Sequence, residues 1–248
     1  MTIAIRQAVL ILLALACAQA AAAQTAEEII EKSIAAMGGR AAFDKIKTRS
    51  MTGTITLNTP AGDIPGTIEV MNARPNKART LIKADLSAFG AGPLVIDQRF
   101  DGQTGYVLDS LQGNRDVTGN QLDNMRNSGF PHAFLEYKAL GFAVTLQGKE
   151  KVGAGEAYVL VFEPSKGSAL RQYIDAQSML PVKFSLTVNV PQVGQDVEQT
   201  TVLEDYQEVD GVKVPFKLSS SSSIQSFTVA LDKVAHNVEV DEKLFAKP

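Results

Sequence analysis

The chain has 248 residues, 45% of them hydrophobic, 21% charged and 6% aromatic, with no Trp, one Cys and two His. Such a composition excludes a disordered, collagen-like or disulfide-built protein, and the length suits one large β-rich domain or two small ones, able to bury a core without staples. A formal net charge of -3 argues against nucleic-acid binding, which draws on an excess of Lys and Arg, and offers anionic partners no overall attraction.

Residues 1–23 read as a secretory signal peptide: one early cation, Arg6, an apolar run Ala8 to Ala18, then small residues ending Ala21, Ala22, Ala23. The run is eleven residues, against the roughly 20 that a membrane span requires. Cleavage after Ala23 would remove Arg6 and Cys17 and leave 23 cations against 27 anions and no thiol. A rival reading lipidates Cys17, but the preceding Ala14-Leu15-Ala16 lacks the leucine usual three places before such a cysteine. With no other long apolar run, the mature chain is expected to be soluble.

From Gln24 onward a single barrel-like domain, 24–248, is expected. Glu27 to Met37 places Ile29, Ile30, Ile34 and Met37 on one helical face, with acidic residues in the first turn and Gly38-Gly39 as the stop. Arg40 to Ile46 reads as a second short helix, so a helical piece is expected near 26–46. After Lys47 the period becomes two, and turn residues recur every ten or so positions, among them Pro60-Ala61-Gly62, Arg74-Pro75-Asn76, Asp101-Gly102 and Gly153 to Gly155. Val182, Phe184, Leu186 and Val188 alternate with polar residues, as do Val214, Phe216 and Leu218, then Phe227, Val229 and Leu231. Roughly ten or eleven antiparallel strands follow by this test, too many for a flat sheet, so a strongly curved sheet or barrel is expected. Asn120 to Leu140, with Leu122, Met125, Phe130, Phe134, Leu135, Tyr137 and Leu140 and a break at Gly129-Phe130-Pro131, reads as one or two short apolar helices near 120–140. Three helical pieces cover little of such a sheet, so either the barrel closes on itself or a ligand completes the cover.

No catalytic constellation emerges, and no metal or cofactor site. His132 and His236 lie far apart and read as solvated or capping residues. No Gly-x-Ser-x-Gly elbow is present, and Glu204-Asp205 and Asp241-Glu242 sit among solvent-type residues. Gly90-Ala91-Gly92 and Gly153-Ala154-Gly155 lack the strand-loop-helix context of a dinucleotide loop and read as turns. The Ser219 to Ser223 run reads as strand-end hydroxyls without a function.

Several ordered features resemble one family. A secreted N-terminal helix is followed by a strand Gly66 to Ala73 running into Arg74-Pro75-Asn76, then by a strand leading to Asp101-Gly102-Gln103-Thr104 and an apolar mid-chain lid. The end is Tyr206 to Phe216 with a further strand and Leu244-Phe245-Ala246-Lys247-Pro248. In this order they resemble the LolA/LolB-like family of periplasmic lipoprotein carriers. The resemblance implies a mainly β (α+β) fold: a half-open, strongly curved antiparallel barrel of about eleven strands with a helical lid over a hydrophobic cavity. It also implies that Arg74, the arginine before the proline, latches the lid by hydrogen bonds to lid backbone. Strand parity agrees, since Ile68, Val70, Asn72 and Arg74 share one face. The pattern departs from the family in having Ala78 and Arg79 where aromatics usually follow, and in lacking Trp, which puts the cargo in question.

On this resemblance the expected function is a non-enzymatic periplasmic carrier that shields acyl chains of a lipoprotein or lipid on the way to the outer membrane. The expected lid contacts are Phe130, Phe134, Leu135, Leu140 and Phe142; the expected barrel contacts are Ile68, Val70, Leu94, Ile96, Phe162, Phe184 and Phe227. Expected partners are the acylated cargo, an inner-membrane donor complex and an outer-membrane acceptor, with no nucleic acid and with the protein a monomer. Two other readings stay open: an envelope sensor that signals to a partner protein, and a lipid hydrolase, for which no nucleophile is apparent.

Overall fold

The computed structural model describes residues 24–190 and 195–248. The signal-peptide and Cys17 readings therefore lie outside the described residues. Thirteen strands form one antiparallel sheet in the order β6-β5-β4-β3-β2-β1-β13-β12-β11-β10-β9-β8-β7. They are β1 (Thr48–Thr59), β2 (Gly62–Ala73), β3 (Lys77–Asp85), β4 (Pro93–Phe100), β5 (Gly105–Asp109), β6 (Arg115–Val117), β7 (Ala143–Val152), β8 (Gly155–Glu163), β9 (Leu170–Asp175), β10 (Pro181–Val190), β11 (Gln195–Val209), β12 (Val212–Ser221) and β13 (Ser226–His236). The sheet is strongly curved but not closed, because its edges β6 and β7 do not pair. Thirteen strands replace the expected eleven or so; β5 and β6, at five and three residues, are too short to display a period.

Among the described residues four α-helices complete the fold: α1 (Ala26–Ala36), α2 (Arg40–Asp44), α3 (Gly119–Asn127) and α4 (Ala133–Glu136). Thr25 and Glu28 form a capping box that starts α1, each side chain accepting from the other's backbone N–H. Its buried face, Ile29, Ile30 and Ile34, joins Phe43, Phe134 and Phe162 in the main core between helices and sheet. The helix ends against the β11–β12 turn, where the Lys213 N–H donates to the Met37 carbonyl at 2.8 Å. Gly38, at φ +126°, lies so close that a Cβ there would stand 2.1 Å from the Gly211 oxygen. Only glycine fits both the backbone angle and the space.

The connection from β6 to β7 crosses the open side of the sheet and supplies α3 and α4. Sequence periodicity assigns the whole of Asn120 to Leu140 to an apolar lid, but α3 buries no residue and is held by polar side chains. Asn127 Nδ2 donates to the Lys166 carbonyl at 2.7 Å, Asn124 Oδ1 accepts from the Ser168 N–H at 2.7 Å, and the Arg126 carbonyl accepts from Asn76 Nδ2 at 2.8 Å. It thus ties the β2–β3 turn to the β8–β9 loop. The apolar cover comes from the segment after it, Phe130 to Tyr137.

A bulge in β10 corrects another expectation. Pro181 faces Ile174 and Lys183 faces Tyr173, leaving Val182 as the extra residue, so the parity breaks there. Phe184 and Leu186 point inward, whereas Val182 packs on the opposite face with Ala157, Val159 and Tyr173.

Candidate functional site: a lidded apolar cavity

Between the sheet and the lid lies a cavity of about 630 Å³. Its walls are mainly apolar: Met51, Ile68 and Val70 from β1 and β2, Phe184 and Leu186 from β10, and Phe227 from β13. The lid side is Phe43 of α2, the segment Pro131-His132-Ala133, and Phe134 of α4, with Phe142 beside them. This volume lies within the range of small-molecule sites.

An aromatic chain joins lid to sheet. Phe43 meets His132 at 5.9 Å, His132 meets Phe134 edge-on at 4.7 Å, and Phe134 stacks on Phe162 of β8 at 5.3 Å with a 9° interplanar angle. His132 is the N-cap of α4, its Nδ1 accepting from the Phe134 N–H at 3.2 Å. The ring lines the cavity instead of facing bulk water, and burial holds its pKa down to about 4. The His236 side chain, read from sequence as solvated or capping, is 1% exposed and touches Asp210 Oδ2 through Nδ1 at 3.1 Å. Burial pushes its pKa down, partly offset by Asp210.

Arg74 stands at the edge of this lid. Its Nε donates to the Ile46 carbonyl at 2.8 Å and one terminal nitrogen to the Phe43 carbonyl at 3.3 Å, two carbonyls at and just beyond the end of α2, that of Phe43 also accepting from the Ile46 N–H at 3.0 Å. The other terminal nitrogen lies 3.9 Å from Glu136 of α4. One guanidinium thereby contacts two lid helices.

The sequence-derived contacts divide by position. Ile68, Val70, Phe162, Phe184 and Phe227 line the cavity, as do Phe134 and Phe142. Leu94 does not: it lies in a separate cluster with Ile64 and Ala84, and Ile96 packs against that cluster. Both face inward by register, but β4 is four strands removed from β13, beyond the part of the sheet the lid covers. Phe130 is 2% exposed within the main core, and Leu135 packs against that core without lining the cavity. Leu140, half-buried, lies outside the lining as well.

Sequence reading also missed polar cavity residues. Gln199 Nε2 donates to Ser220 Oγ at 2.7 Å, and Ser220 Oγ lies 3.0 Å from Thr201 Oγ1, all three on the cavity wall. Parity carried the signal, because Ser220 continues the inward row Val214, Phe216, Leu218. Arg49, also in the wall, shares the parity of Met51, Ile55 and Leu57 on β1. Glu204, Asp205, Asp241 and Glu242 are exposed. Among the described residues no group of three or more His, Cys, Asp or Glu could hold a metal ion, and no helix is long and apolar enough to cross a membrane.

An open antiparallel sheet curled around a short helical lid, with an apolar cavity between them, is the LolA-like fold. Solved structures of that class superpose over most of the chain. A LolA superfamily protein from Nitrosomonas europaea matches with a TM-score of 0.56 at 15% identity, covering 91% of this chain and 99% of that one. A DUF1329 family protein from Desulfovibrio piger gives 0.57 at 13% identity over 88% and 95%. A domain from Vibrio parahaemolyticus named for outer membrane lipoprotein sorting gives 0.54 at 13% identity, also over 88% and 95%. No protein-family model matches the chain, and comparison with curated proteins found no match.

Proposed function

We propose that the protein is a periplasmic carrier that shelters acyl chains of a lipid or lipoprotein in the cavity under its lid, without chemistry of its own. The observation that carries this reading is the cavity of about 630 Å³ with its mainly apolar wall. Each buried CH₂ of an acyl chain contributes about 0.8 kcal/mol, so such a wall retains a chain without specific polar contacts. In this reading residues 1–23 direct secretion and are removed, and the domain 24–248 works as a monomer between a donor complex and an acceptor at the outer membrane. Arg74 serves as the latch: its bonds to Phe43 and Ile46 favour the closed lid, and cargo competes with them.

The test is lipid mass spectrometry on residues 24–248 purified from a periplasm without detergent, set against a mock preparation. Co-purifying lipid or acylated polypeptide at near one per protein supports the carrier and identifies its cargo class. An empty protein that also fails to take up an environment-sensitive acyl probe overturns it and favours the sensor reading.

A further inference from the structure

Arg49 is the first inward-facing residue after the start of β1, and the register fixes its neighbours. It lies opposite Asn72 on β2 and His236 on β13, so the three side chains form one polar rung across three strands. The rungs beyond it are apolar, carrying Met51 and Val70, then Ile68 and Leu231, and finally Phe227 at the far end. From the Arg49 rung to that of Leu57 is eight residues along β1, about 26 Å of extended strand.

No hydrogen bond or ion pair with the described residues satisfies the Arg49 guanidinium. Its Nε, together with Asn72 Oδ1 and His236 Nε2, is buried without a hydrogen-bond partner. The guanidinium rests over the Phe130 ring at 5.3 Å, which orients it but accepts none of its N–H groups. Asp210 is engaged with Nδ1 of His236 and makes no ion pair with Arg49. His132, in the same wall, accepts at Nδ1 and so carries its proton on Nε2. A buried guanidinium without a counter-charge is strongly unfavourable, and its five donors match the paired oxygens of a carboxylate or phosphate. The overall charge of -3 gives anions no general attraction, so the preference must be local to this rung.

Resting on the carrier reading, we infer that the cavity is built for an anionic amphiphile, whose carboxylate or phosphate pairs with Arg49 under the lid while its acyl chain runs along the apolar rungs of β1, β2 and β13. A neutral acyl group would leave the guanidinium unpaired.

Equilibrium binding of a dansyl-labelled fatty acid and of its methyl ester to residues 24–248, at pH 8, tests this. The acid is expected to bind between about tenfold and a hundredfold tighter than the ester, the range of a hydrogen bond to a charged group. Arg49→Met is expected to bring the acid-to-ester ratio close to one, and Arg49→Lys to restore part of it. Competition by dodecanoate, dodecyl phosphate and dodecanol separates the headgroups: displacement by either anion well below the dodecanol concentration supports the inference and says which anion is preferred. Equal binding of acid and ester by the unaltered protein, dodecanol competing as well as both anions, or an Arg49→Met protein that keeps the preference, each overturns the inference while leaving the carrier reading in place. If neither probe binds, both fall together.

Discussion

Phe134 on α4 and Phe162 on β8 stack face to face at 5.3 Å with a 9° interplanar angle, and both residues are 1% exposed. This pair is where the lid meets the sheet, so the packing that stabilises the fold also forms part of the cavity wall. Phe134→Ala is expected to cost about 3–5 kcal/mol, from lost burial, the cavity left behind and the aromatic pairing. Urea denaturation should show a lower midpoint at unchanged slope; a loss below about 1 kcal/mol would mean that α4 is not docked as described.

Arg74 gives the opposite expectation for binding. Arg74→Leu removes the donors to Phe43 and Ile46 and so weakens the closed lid, while a bound chain that requires an open lid gains relative to it. The variant is expected to stay folded, to hold an acyl probe about tenfold tighter and to release it more slowly to acceptor vesicles. Release as fast as the parent's would remove the latch assignment.

His132 makes stability depend on pH. Its pKa is about 4 in the folded protein, below the ordinary 6.5, because the buried ring is kept neutral. Between those values the unfolded chain binds the extra proton, so stability is fully present above about pH 6.5 and is lost as the pH falls toward 4. His236 is shifted in the same direction. A loss of about 2 kcal/mol is expected from His132 alone between pH 7.5 and pH 5, read as a falling urea midpoint. His132→Asn, which keeps a capping acceptor, should flatten that dependence.

Gly38 tests the seat of α1. Gly38→Ala places a methyl group against the Gly211 carbonyl at a backbone angle that alanine rarely adopts. A destabilisation of about 1–3 kcal/mol is expected. Gly39→Ala, at φ +83° but with open space around it, should carry the angular strain alone and cost less. Equal losses in the two would show that the close approach to Gly211 contributes nothing.

By itself the sequence determined the elements and their faces. The 3.6-residue spacing of Ile29, Ile30 and Ile34 and the alternation along β12 and β13 are local properties, and so were legible, as was the strand-end position of Arg74 before Pro75. Tertiary structure decided which inward residues share a space. Leu94 and Ile68 have the same parity and chemistry, yet only Ile68 lies where the curved sheet passes beneath the lid. Val182 left its expected face because a single bulge reverses parity, which depends on a pairing partner rather than on the strand itself. The rung of Arg49, Asn72 and His236 joins residues from opposite ends of the chain, brought level only when β13 pairs with β1. Periodicity says which way a side chain points; register and curvature, set by long-range pairing, say what it points at.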